Sequence, residues 1–274
     1  MDTITLINGE QGAAISVMDR GFMYGDGVFE TLLSCKANLA LWEYHYARLT
    51  AGCERLRIAV PASAVLLSTL TPHLDPQGHQ VIKIVVTRGE GQRGYRVTQS
   101  MQPNVVISIG ERQFLPPTYW QNGINLYRCA TRLASQPILA GIKHLNRLEQ
   151  VLATQEWDET YQEGLMCNLH DEVIEATSHN LFAVNDGRLY TPDLSATGVE
   201  GVMRRYVIEL AREMRIAVYI KHIKLTDLAH MDEVFVTNSI DGIWPVVRIA
   251  DWEFKLGEIT RALQTRVAAL MPYQ

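Results

Sequence analysis

The sequence predicts an α+β fold built as two units. Its 274 residues are enough for about two compact units of roughly 150 residues each. Short strand-like runs are broken by isolated helical stretches instead of alternating with them regularly, which argues against a TIM barrel or a doubly wound sheet. A proline-bearing stretch poor in core residues, FLPPTYWQN, separates the earlier runs from the later ones. These observations place a smaller unit at residues 1–115, a connecting loop at 116–122 and a larger unit at 123–274.

The elements follow in order. TITLING and AAISV flank the turn string GEQG, and VFETLLS follows the turn Gly25-Asp26-Gly27, so the chain opens as a hairpin-rich sheet. From Glu43 to Arg57 the apolar residues Tyr46, Leu49, Cys53 and Leu56 recur at spacings of three and four, one stripe along a helix. Pro61 opens a second helix that reaches about His73. QVIKIVVTR and NVVISIG are strands joined by a Gly- and Arg-bearing segment. Beyond the connecting loop, INLYRCA is a strand, TRLASQPILAG a loop, and His144 to about Tyr161 a helix with Leu145, Leu148 and Leu152 on one face. The remainder alternates. GLMCNLH, NLFAV and RLYTP are strands, the last two joined by an Asp186-Gly187 turn, and a helix runs from about Val202 to Met214. AVYIK, DEVFVTN and GIWPVVRI are strands, and GEITRALQTRVAALM is a final helix.

Composition narrows the function. A hydrophobic share of 47% and a charged share of 20% exclude wholesale disorder, collagen and coiled coil. With 25 basic against 30 acidic side chains and a net charge of -5, no positive field draws nucleic acid or anionic lipid. No apolar run approaches the roughly 18 to 20 residues of a membrane helix, and VIKIVVT carries Lys83 in its middle. MDTITLINGE lacks the basic flank and long apolar run of a secretory signal, so a soluble cytoplasmic protein is expected. Cys35, Cys53, Cys129 and Cys167 are scattered, which suits reduced, buried thiols. The 8 histidines form no metal-binding pair, so no metal is expected. Residues 89–94, GEGQRG, match the dinucleotide-binding pattern, but YRVTQSMQPNVVISIG runs through Pro103 into a strand where that motif needs a helix. A hairpin loop fits better, one able to hold Arg93 and Tyr95 toward a substrate carboxylate.

One lysine stands out. In LAGIKHLNRLEQVL, Lys143 sits at a loop-to-helix boundary beside Ile142, Leu145 and Leu148. Partial desolvation would leave it a free amine suited to Schiff-base chemistry. A solvated surface lysine is the commoner role for such a residue.

GIKHLNRLEQVL, together with YGDGVFET, EGL near residue 164, EATSHNLF, GVEGVMRR and DEVFVTNSIDGIWPV, resembles the fold-type IV pyridoxal-phosphate enzymes over nearly the whole chain. Within that group KHLNRLEQ and RGEGQRGY are most similar to the aminodeoxychorismate lyases, with branched-chain and D-amino acid transaminases as the alternative. The resemblance implies two α/β domains with pyridoxal 5'-phosphate in the cleft between them, and Lys143, carried by the larger C-terminal domain, as the residue forming the Schiff base and moving the C4 proton. It implies Glu175 as the partner of the pyridine nitrogen, where a strand-edge glutamate is the plainer role. Arg48, otherwise one more solvated charge on an amphipathic helix, would hold the phosphate with the backbone of Val202 and Met203 and with Ser239 and Ile240. Met203 departs from the threonine many relatives carry there, so only its backbone donor is expected to serve. Thr31, Arg93, Tyr95 and Asn238 fall at substrate-side positions, although a strand residue, loop residues and an ordinary turn residue account for them equally. His144 and Asn146 are read as structural. The implied reaction converts 4-amino-4-deoxychorismate to 4-aminobenzoate and pyruvate in a homodimer, with no nucleic-acid or membrane partner.

Overall fold

Antiparallel pairing of alternating apolar runs makes the first sheet. The computed structural model describes residues 3–12, 14–97 and 101–271. Strands β1 (Ile4–Ile7), β2 (Glu10–Gln11), β3 (Gly27–Cys35), β4 (Asn38–Leu39), β5 (His79–Thr87) and β6 (Asn104–Glu111) form a 6-stranded sheet in the order β2-β1-β6-β5-β3-β4. Helix α1 (Arg20–Tyr24) precedes β3, while α2 (Trp42–Leu56) and α3 (Ser63–Leu70) follow β4. Leu32, Ile82, Ile84 and Ile107 of the sheet share a buried cluster with Leu49 and Cys53 of α2 and with Leu66 and Leu70 of α3. Each such leucine or isoleucine contributes about 1.5–3 kcal/mol by leaving water. The expected stripe Leu49, Cys53 is therefore the inner face of α2.

The second unit holds helices α4 (Pro117–Asn122), α5 (Leu148–Ala153), α6 (Val202–Glu213), α7 (Leu225–Leu228) and α8 (Glu258–Ala268). Its strands are β7 (Ile124–Leu133), β8 (Glu163–Asn168), β9 (Glu172–Ala176), β10 (Asn180–Asn185), β11 (Arg188–Pro192), β12 (Val218–Lys221), β13 (Ile223–Lys224), β14 (Glu233–Asn238), β15 (Gly242–Ile249) and β16 (Trp252–Glu253). They form a 10-stranded mixed sheet ordered β12-β11-β10-β14-β15-β7-β8-β9-β13, with β16 on β15. An extra pairing of β9 with β10 turns this order back on itself at Glu175 and Asn180. Every residue of β8 is buried, and all of β10 but its last. That explains why their sequences run apolar without alternation: both faces are covered.

Four expectations need correction. AAISV is not a strand over its described part: the hairpin closes at Glu10–Gln11, and Ala13 lies outside the described residues. Residues 116–122 are not simply loop, because Pro117 at the first helical position presets the backbone of α4, which Gly123 ends at φ 83. The helix expected from His144 to Tyr161 shrinks to Leu148–Ala153. Its front is lost because His144 pairs with Val28. Its rear is lost because Asp158 draws the Thr160 N–H and hydroxyl into a turn at 3.0 and 2.7 Å. Finally, the first unit ends at Gln113 but takes back Ile142–Asn146, so Lys143 belongs to it and not to the larger unit.

No described helix is long and apolar enough to cross a membrane. All four cysteines are free, and burial pushes Cys53 and Cys129 up to about 12 and Cys167 to about 11, which makes them inert thiols.

Candidate active site

Lys143 is placed by backbone pairing. Phe29 N–H donates to the Lys143 carbonyl at 2.9 Å, and Leu145 N–H donates to the Gly27 carbonyl at 3.0 Å. Asn146 Nδ2 donates to the Gly25 carbonyl at 3.1 Å, so Asn146 has the structural task expected of it. Held on both sides, the lysine sets its Nζ 4.6 Å from the centre of the Phe29 ring, at cation–π distance. Thr31 lies two residues along β3, on the same face as Phe29. Opposite Thr31 stands Lys83, whose Nζ is 5.2 Å from the same ring. The sequence betrayed Lys83 only as a charge interrupting an apolar strand, yet that interruption marks a face of the sheet that is not core.

The opposite face of β3 carries Glu30, which is 2% exposed. It accepts hydrogen bonds from Arg48 Nε at 2.8 Å, from Arg48 Nη2 at 2.6 Å and from His45 Nδ1 at 2.6 Å. Burial alone would raise the Glu30 carboxyl, but the charge and hydrogen bonds of Arg48, with help from His45, outweigh it and hold the pKa down to about 2. Burial pushes His45 the other way, below its ordinary value against the pull of Glu30, so it donates as a neutral ring. Arg48 is thus a fixed, partnered guanidinium and not a solvated charge. Glu30 and His45 escaped notice in the sequence. The signals were the spacing of His45 and Arg48, which puts both on one side of α2, and a glutamate at an inward strand position.

In the second unit Glu175 is 4% exposed on β9, and its Oε2 accepts the Val199 N–H at 2.9 Å. Asn180 Nδ2 donates to the Val199 carbonyl at 2.8 Å, so the same residue is gripped from both polar sides. Glu175 is therefore an interior carboxylate, not a strand-edge one. Helix α6 starts after Gly201 with no side-chain cap, and Val202 and Met203 are buried in its first turn. No side chain caps its first turn by a hydrogen bond, an arrangement that leaves the positive end of its dipole suited to an anion. A Cβ at position 201 would overlap Asn180 Oδ1, so the approach of helix to strand requires glycine. Arg204, also buried, donates to Thr191 Oγ1 at 3.2 Å and to the Pro192 carbonyl at 2.9 Å and acts as a strut.

The turn after β14 is organised by Asn238. Asn238 Oδ1 accepts N–H bonds from Ile240 at 2.9 Å and Asp241 at 2.7 Å, and its Nδ2 donates to Asp241 Oδ2 at 2.9 Å. Asn238 thus shapes the turn, and the Ile240 N–H donates to it. Ser239 lies at the tip of this turn, half-buried. Behind it lies His179, which sequence reasoning passed over. Its Nδ1 is 2.9 Å from Glu163 Oε1, its Nε2 is 2.9 Å from Asn238 Nδ2, and Glu163 also accepts from Thr177 and Ser178. Burial works against a proton on His179, while Glu163 and Asp241 draw its pKa upward.

Arg93 and Tyr95 are exposed in the loop between β5 and β6, with no helix after Gly94 among the described residues, so GEGQRG is the hairpin loop and not a nucleotide fingerprint.

The Amino-transferase class IV family matches residues 27–249. The chain belongs to that family. Among class IV proteins, an aminodeoxychorismate lyase of Vibrio harveyi is 39% identical over 266 residues, covering 94% of this chain and 97% of that one. A solved structure of 4-amino-4-deoxychorismate lyase from Pseudomonas aeruginosa is 44% identical with a TM-score of 0.92, covering 97% of this chain and 98% of that one. A putative branched-chain-amino-acid aminotransferase of Methanocaldococcus jannaschii is 31% identical, covering 94% and 91%. The fold is thus the fold-type IV arrangement of class IV enzymes, and the cofactor is pyridoxal 5'-phosphate. Each unit by itself offers chemistry of the kind that group needs: the first an amine against an aromatic face, the second an interior carboxylate and a helix start without a side-chain cap.

Proposed function

We propose that this class IV enzyme is a lyase that converts 4-amino-4-deoxychorismate to 4-aminobenzoate and pyruvate. What carries the reading is full-length similarity to two lyases at 39% and 44% identity, against 31% for the aminotransferase. The geometry around Lys143 supports it. We further infer a cytoplasmic homodimer that needs neither nucleic acid nor membrane.

Lys143 would hold the cofactor covalently through Nζ, and Glu175 would keep its ring nitrogen protonated. Arg48, the first-turn N–H groups of Val202 and Met203, and Ser239 would take its phosphate. Ile240 would join them only on giving up Asn238. Because Glu30 neutralises Arg48, Arg48 serves as an oriented fork more than as free charge, and the dipole of α6 supplies the rest. When bound, the cofactor supplies an electron sink for a carbanion. Once the substrate's 4-amino group has displaced its Nζ, Lys143 would be a free amine able to take the proton from substrate C4. The C3–O bond then breaks, the ring becomes aromatic, and the enolpyruvyl group leaves. Lys143 would then return that proton to the departing enol, which becomes pyruvate, so no proton is gained or lost. Thr31, on the face that carries Phe29, would bound the substrate, and Arg93 and Tyr95 would hold a carboxylate and fix which bond is cleaved.

Incubation with 4-amino-4-deoxychorismate, following 4-aminobenzoate by fluorescence and pyruvate by a coupled assay, tests the reaction. Equal amounts of both are expected. Product formed only from an amino acid plus a keto acid would replace this reading with a transaminase.

A further inference from the structure

Helix α1 does more than lead into β3. Asp19 caps it, its Oδ1 accepting N–H bonds from Gly21 at 2.7 Å and Phe22 at 3.3 Å, and Gly25 ends it in the left-handed region at φ 65. The five-residue helix therefore sets Arg20 and Tyr24 on one side, four positions apart. Both turn to the loop between β5 and β6. Arg20, 3% exposed, donates from Nη1 to the Gly94 carbonyl at 2.8 Å and from Nη2 to the Tyr95 carbonyl at 3.2 Å. Its Nε donates to Asp26 Oδ2 at 2.9 Å. The guanidinium lies 4.9 Å from the Tyr24 ring centre. The Tyr24 hydroxyl accepts the Gly94 N–H at 3.0 Å, and its ring sits 5.4 Å from that of Tyr95.

The backbone at Gly94 and Tyr95 is thus tied from three directions, while the Tyr95 side chain is 84% exposed and Arg93 is exposed beside it. A loop whose main chain is fixed and whose arginine and tyrosine are exposed has the form of a recognition element. We propose that Arg20 and Tyr24 are positioning residues that clamp the Gly94–Tyr95 backbone and so present Arg93 and Tyr95 to a carboxylate of the substrate. This rests on the substrate role given above to Arg93 and Tyr95.

Arg20→Gln removes the clamp without stranding Asp26, which keeps Arg88 Nε at 2.7 Å and Nη2 at 2.9 Å. Tyr24→Phe removes only the acceptor for the Gly94 N–H, and Arg20→Lys restores the charge without the fork. Two readouts apply to the holoenzyme. The first is limited trypsin digestion, with cleavage after Arg93 and Arg96 identified by mass. Cleavage there should rise about tenfold in Arg20→Gln, the size expected for losing a charge-assisted hydrogen bond, with Arg20→Lys and Tyr24→Phe between it and wild type. The second is kinetics: KM should rise about tenfold while kcat stays within about twofold, the pattern of lost ground-state binding, and cofactor affinity measured by fluorescence should not move. Unchanged cleavage in Arg20→Gln overturns the clamp. Faster cleavage with unchanged KM, or a fall in kcat alone, overturns the presentation of substrate. A wild-type enzyme that makes no 4-aminobenzoate defeats the proposed reaction and the substrate half with it, while the digestion still decides the clamp.

Discussion

Replacing Glu30 by glutamine puts a number on the buried network under β3. The carboxyl goes from an ordinary 4.5 to about 2 on folding, a difference worth about 3 kcal/mol. At 2% exposure solvent screening removes little of it. Because the folded value is the lower one, this stability is present in full above 4.5 and is lost as the pH falls toward about 2. Glu30→Gln removes the charge that faces Arg48 and should destabilise the protein at pH 7 by about 3 kcal/mol, the cost of breaking a buried pair from one side. The matching fall in Tm is on the order of 10 °C. Urea unfolding of both proteins between about pH 7 and about pH 3 checks this, since the gap should narrow steadily on acidification. A gap of the same size at both ends of that range would refute the assignment of the stabilisation to an ionised Glu30.

Lys143→Ala should abolish turnover and the visible absorption of the bound cofactor. Borohydride treatment should add the cofactor's mass to the peptide containing Lys143 in the wild type and to none in the variant. Glu175→Gln keeps an oxygen for the Val199 N–H and so should fold, but without its charge kcat should fall by about 100-fold or more; an unchanged kcat would remove Glu175 from the chemistry. Gly201→Ala forces a methyl against Asn180 and should cost about 1–3 kcal/mol in thermal or urea unfolding, with weaker cofactor binding by titration.

The long periodic elements were legible because one interaction dominates each. The stripe of α2 and the apolar runs of β5 and β6 lie within a residue or two of where their spacing puts them. Leu148 and Leu152 misled because periodicity records a face without saying what covers it: they are 75% and 55% exposed in this chain. Residues 144–146 have helical neighbours in sequence but spend their backbone and side-chain groups on Val28, Gly27 and Gly25. Such long-range pairing leaves no local trace. Lys143 and Glu175 were singled out through a motif, which carried no trace of their surroundings. Glu30, His45, Glu163 and His179 are polar residues buried against partners distant in the chain, and only the tertiary fold brings those partners together. Helix α1 was missed for being short, although the pattern of aspartate before it and glycine after it was there to be read.

Because Ile142–Asn146 complete the edge beside β3, the first unit is not one uninterrupted stretch of polypeptide. A fragment cut at residue 113 lacks the piece that covers Gly27–Phe29, and its exposed strand edge invites aggregation. During synthesis that edge stays open until the ribosome has moved well past residue 146, so the lysine arrives together with the last segment of the unit that holds it.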